Sequence, residues 1–170
     1  MGLDITAYKN AQLVDTLSDV DEWENRYYLA KSKETFYVYP GLSDWFPEWA
    51  EGIKYGGVYE YEDSFGFRAG SYSGYNYWRE WLCETFLGIS PQVVWSNPEM
   101  FEDAPFYRLI HFADNEGYIS EVHAKNLAKD FQKYQNEVDN LDCEPWLKEK
   151  YADWRKAFEM ASNNGFVEFH

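Results

Sequence analysis

Leu127, Phe131, Tyr134, Val138 and Leu141 follow one another at spacings of 4, 3, 4 and 3, which draws one apolar stripe down a helix. Leu147, Tyr151, Trp154, Phe158 and Ala161 repeat that spacing in a second helix, and Asn163, Asn164 and Gly165 form its stop signal. Elsewhere the period shortens to two. GLDITAY near the start alternates apolar and polar residues as a half-buried strand does. TFYVYP reads as a second strand closed by Pro40, and FVEF as a short last one. VYEYEDSFGFRAG predicts a hairpin turning at Glu62, Asp63 and Ser64. FYRLIHF reads as a fourth strand or buried segment.

Between these lie less regular stretches. NAQLVDTLSDVDEWENR predicts loop and short helix, and SDWFPEWAEGI a helix cut short by Pro47. GYNYWREWLCETFLG predicts a helix with Ser73 as its N-cap. Residues 88–106 carry three prolines and no clear period, which predicts a loop. The sum is an α+β fold: one compact domain over residues 1–170, a mainly antiparallel sheet packed by about three helices. No apolar run approaches transmembrane length, and MGLDITAYKN lacks the basic and apolar regions of a signal peptide.

Composition changes the picture in two ways. Thirty acidic residues against fifteen basic ones give a formal charge of −15, while aromatics reach 21% of the chain. A disordered acidic tail is poor in aromatics, so this is a folded acidic domain. Its field repels nucleic acid phosphates and favours a basic partner. Cys83 and Cys143 lie far apart, and Cys83 falls within an apolar helix pattern, which predicts a buried free thiol and a reducing compartment.

The densest candidate chemistry is FGFRAGSYSGYNYWREW, residues 65–81. Gly66, Gly70 and Gly74 would allow close approach of a ligand. Arg68, Ser71, Ser73 and Asn76 offer hydrogen bonds, Tyr75 a stacking face, and the following helix N-terminus suits an anion. The competing reading is a strand-to-helix turn that satisfies its own backbone. No Lys-Ser or Lys-Thr follows the glycines, so this is not a P-loop. A second cluster, HFADNEG, holds Asp114 and Glu116. An EF-hand register would put Phe112 and His123 where carboxylates are required, so no metal is expected there. His170 could bring its imidazole to the same site. No nucleophile elbow or zinc motif occurs, and no cofactor is expected. Exposed acids Asp19, Asp21, Glu22 and Glu24, with Trp45 and Trp49, are the candidate protein-contact surface.

MGLDITAY, FRAGSYSGYNYWR, FADNEG and the ending WRKAFEMASNNGFVEFH together resemble a family of small bacteriophage and prophage proteins, across the whole chain. Similar sequences often carry cysteine where Asn115 stands here, which removes a chemical role for a thiol at that point. The resemblance implies an accessory protein of the bacterial cytoplasm that disarms host defence. Three versions follow. One is an inhibitor that plugs a basic, nucleic-acid-binding immune protein, CRISPR-like or other. The second is a sponge that sequesters a nucleotide signal around Arg68 and Ser73. The third is a small hydrolase using Asp114, Glu116 and His170. Neither direct nucleic-acid binding nor membrane association is expected.

Overall fold

The computed structural model describes residues 2–29, 34–39, 47–112 and 116–170. Strand β1 (Gly2–Lys9) is central to a four-stranded antiparallel sheet ordered β5-β1-β7-β6, with β5 at Asp63–Ser71, β6 at Gly117–Ser120 and β7 at Phe166–Phe169. The alternation of β1 resolves into two faces. Leu3, Ile5 and Ala7 are buried beneath the helices, while Asp4, Thr6 and Tyr8 point to the other side. A three-stranded sheet ordered β2-β4-β3 (Gln12–Thr16, Gly57–Glu60, Thr35–Tyr37) covers part of that other side. Tyr8, Phe36, Val38, Tyr59, Tyr118 and Phe166 make the interlayer core.

Three long helices form the opposite layer: α2 (Tyr72–Leu87), α6 (Glu121–Asn140) and α7 (Pro145–Ala161). The residues of both predicted stripes face the core. Trp154 of α7 joins the parts, its ring centroid 5.0 Å from Phe67, 5.7 Å from Trp78 and 5.5 Å from Phe169. Tyr151 Oη donates to Phe131 O at 2.8 Å, and Trp78 Nε1–H donates to Leu147 O at 3.3 Å, so the buried polar tips of these rings are satisfied. Cys83 is a buried free thiol whose pKa is pushed up to about 11, chiefly by burial. Among the described residues, no helix is long and apolar enough to cross a membrane.

The α+β expectation holds, with local corrections. The predicted hairpin does not form. β4 is flanked by β2 and β3, and β5 pairs with β1 in the other sheet, so the turn at Tyr61–Glu62 is a crossing between layers. FYRLIHF is a buried segment but not a strand: it forms a short helix, α5 (Tyr107–His111), launched from Phe106 at φ 59. Phe106 N–H donates to Asp130 Oδ2 of α6 at 2.9 Å, a tertiary contact that sets this start. The predicted loop after Gly88 holds α3 (Pro91–Ser96) and α4 (Pro98–Phe101), each with proline in its first turn. The acid-rich segment contributes strand β2 besides helix α1 (Val20–Trp23).

Only Gly70 of the three junction glycines needs its freedom, at φ 128 beside a bulge where Ala69 is the extra residue opposite Leu3 and Asp4. Gly165 is constrained differently: a Cβ there would meet Tyr8 O at 1.8 Å. Gly165→Ala is expected to cost about 1–3 kcal/mol in urea unfolding, because backbone must move. Gly66→Ala, whose Cβ meets nothing nearer than 3.7 Å, should stay within about 0.5 kcal/mol of the parent.

Candidate functional site

The antiparallel order brings the end of β5, the start of β1, the end of β7 and the start of β6 to one edge of the larger sheet. Arg68 lies opposite Asp4, and Asp4 exchanges both backbone hydrogen bonds with His170, at 2.8 and 3.0 Å. Arg68, Asp4 and His170 therefore form one row across three strands. Arg68 Nη1 is 3.6 Å from Asp4 Oδ2, with both side chains largely exposed. Its guanidinium folds over Gly2, where any Cβ would collide with it. His170 Nε2 sits 3.0 Å from Thr6 Oγ1. Glu116 is exposed at the foot of β6, and Asp114 lies outside the described residues.

The serines serve the turn. Ser71, not Ser73, caps α2: its Oγ accepts from Gly74 N–H at 3.1 Å, and Ser73 Oγ lies 3.1 Å from it. Ser71 wins because its backbone is extended at the last position before the helix, whereas Ser73 is already inside the first turn. Tyr75 is buried and cannot stack on a ligand from solvent. Asn76 Oδ1 accepts from Arg79 Nη2 at 2.7 Å. Arg79 itself, 3% exposed, donates through Nη1 to Phe112 O at 3.0 Å and lies over the rings of Tyr75 and Trp95. Arg108 Nε–H donates to His123 Nδ1 at 3.1 Å, so His123 carries its proton on Nε2 and donates to Glu48 O at 2.8 Å. Arg68, Arg79 and Arg108 are thus each engaged by protein groups.

Sequence reasoning missed Glu168. It is 7% exposed, in register with Thr6 on one side and Tyr118 on the other. Tyr8 Oη donates to its Oε2 at 3.2 Å. Burial pushes its pKa up to about 7, against which the Tyr8 hydrogen bond acts weakly. A glutamate in FVEF reads as solvent-facing, and only the overlying second sheet makes it buried.

Of the other predicted surface, the four acids reach solvent. Asp19, Asp21 and Glu24 are exposed and Glu22 half-exposed on and around α1. Asp19 also caps α1, its Oδ1 accepting from Asp21 N–H at 2.8 Å. The chain continues as a π-helical turn over Glu24–Tyr28, with Leu29 N–H donating to Glu24 O at 2.9 Å. This wide turn presents Tyr28 and Leu29, 64% and 66% exposed. Between Asp15 and Leu29 the chain has five acids and one arginine. That arginine, Arg26, pairs with Glu22 and, at 3.5 Å, with Asp15. Trp49 does not belong to this surface. It is buried with its ring 4.8 Å from His123 and 6.0 Å from Tyr107, because core packing claims the larger apolar area. Trp45 lies outside the described residues.

Family models, curated proteins and solved structures offer no match to this chain. Among the described residues, no group of three or more His, Cys, Asp or Glu side chains is arranged to hold a metal ion.

Glu168 generates a pH prediction. A carboxyl whose folded pKa is raised binds its proton more tightly when folded, so its contribution to stability is full below 4.5, its ordinary value, and is lost as pH rises through about 7. The stability difference between parent and Glu168→Gln should therefore move in favour of the glutamine as pH goes from about 5 to about 8. The span is on the order of 3 kcal/mol. A difference that stays flat in urea titrations would place this carboxyl in a solvent-like setting.

Proposed function

We propose that the protein acts by binding, capturing a basic protein partner on the face built by α1 and the π-turn. The observation that carries this reading is the joint exposure of acids and apolar side chains there. Asp19, Asp21 and Glu24 are exposed in the same short segment as Tyr28 and Leu29, and Leu13 and Val14 of β2 are also exposed. Exposed apolar side chains supply the desolvated contact, and exposed acids the steering field, that protein docking uses. Together with the resemblance to phage and prophage proteins, this supports a counter-defence inhibitor that occupies the basic surface of a bacterial immune protein.

The nucleotide-sponge reading has less support. It needs free cations, whereas Arg68 faces Asp4, Arg79 is buried against Phe112 O and Arg108 is bound to His123. The hydrolase reading on Asp114, Glu116 and His170 also has less support: Glu116 is exposed at the foot of β6, His170 Nε2 meets Thr6 Oγ1 at 3.0 Å, and Asp114 lies outside the described residues.

Tagged protein recovered from its bacterial host and weighed by native mass spectrometry should carry a basic protein in fixed stoichiometry, released by salt. Substituting Asp19→Asn, Asp21→Asn, Glu22→Gln and Glu24→Gln together keeps the cap on α1 but removes the charge. This variant should bind about tenfold or more weakly and show a flatter salt dependence. Glu80→Gln, Glu84→Gln, Glu137→Gln and Glu149→Gln together, exposed on other helices, are the matched control and should bind as the parent does. A nucleotide in place of a protein, or equal loss from both variants, would overturn the reading.

A further inference from the structure

The π-turn also walls a groove of about 670 Å³, to which it contributes Tyr27, Tyr28 and Leu29. Among its described lining residues, Tyr8, Trp23, Tyr27, Tyr28, Phe36 and Tyr61 are aromatic, and the charged one, Glu34, is a carboxylate. The rings are held in place from behind. Trp23 Nε1–H donates to Thr35 Oγ1 at 3.1 Å, and Tyr27 Oη to Asp15 Oδ2 at 2.9 Å. Tyr8 packs against Phe36 and Tyr61, each at 4.8 Å between centroids. Tyr61 Oη donates to Glu34 Oε2 at 3.0 Å, which orients the carboxylate at the mouth.

We infer that this groove is a recognition pocket for an arginine side chain of the basic partner, an inference that rests on the capture reading above. Charge complementarity selects the occupant. Aromatic faces carry negative potential and attract a cation laid over them, and a planar guanidinium stacks on them better than an ammonium does. Glu34 retains acceptor sites beyond the one used by Tyr61, so it can take a guanidinium fork. Burial and Glu34 together push the Tyr61 pKa up to about 12, so the phenol remains a donor to the carboxylate. Arg26, the arginine between Asp15 and Leu29, is committed to Asp15 and Glu22. A π-turn is rare and recurs at functional sites. Here it is what brings Tyr27, Tyr28 and Leu29 to the same wall as Trp23.

The test uses the full chain labelled with ¹⁵N and titrated with acetyl-Gly-Arg-Gly-amide and with the same peptide carrying neutral citrulline. The Trp23 indole signal is assigned through Trp23→Phe. Saturable movement of that signal is expected, with a dissociation constant of roughly 1 mM for the isolated peptide. Citrulline should bind at least about tenfold more weakly. Glu34→Gln and Tyr28→Ala, both at exposed positions, should weaken the arginine peptide by roughly tenfold while leaving the rest of the spectrum in place. No saturation by about 10 mM, or equal affinity for arginine and citrulline, would overturn the assignment. The two readings separate cleanly. If the protein complex forms but ignores Glu34→Gln and Tyr28→Ala, the pocket fails and capture stands. If the peptide binds as stated but no basic protein is retained, capture fails and the pocket stands.

Discussion

Pairing of β1 with both β5 and β7 is the constraint on which everything else depends. The neighbours of the central strand come from the middle and the far end of the chain, and Asp4 is locked to His170 by a reciprocal pair of backbone hydrogen bonds. With that register set, Leu3, Ile5 and Ala7 must face α2 and α7, and Asp4, Thr6 and Tyr8 must face away. One slip of a residue would exchange the two sets and leave both layers without a core.

The same register decides which polar groups become unusual. Thr6, Glu168 and Tyr118 share one row, and the next row holds Tyr8 and Phe166. The second sheet packs on the Tyr8 row, so burial reaches Glu168, while the Arg68–Asp4–His170 row stays open. One sheet face thus runs from exposed ion pair to near-neutral buried carboxyl within two residues of each strand. The acidic surface is independent of that gradient, because it is carried by α1 and the π-turn beside the smaller sheet.

How much of this was legible depends on whether local pattern or tertiary contact set the outcome. The two C-terminal helices were readable because their stripes repeat over many turns, and β1 because its alternation is strict. FYRLIHF was not, since a short apolar run carries no period and its helix is started by Asp130 from elsewhere. The apparent hairpin failed for a related reason: both strands are real, but each finds its partners in a different layer. In the candidate site, the acids on α1 were legible because charge without an apolar stripe stays in solvent. Glu168 and Arg79 were hidden because a charged side chain is expected in solvent, although helix spacing sets Arg79 on the buried face with Tyr75, Trp78, Leu82 and Cys83. The layer packed above them shows otherwise.

Cys83 lies in the same helix as Arg79, with no exposed surface and a thiol held largely protonated at neutral pH. Alkylating reagents attack the thiolate, so reaction there must wait until α2 lifts from the sheet. Cys143, in the connection between α6 and α7, is only partly covered. One molecule therefore carries a fast thiol and a slow one. The rate of the slow one is a clock for opening of the helical layer, readable as the mass that alkylation adds.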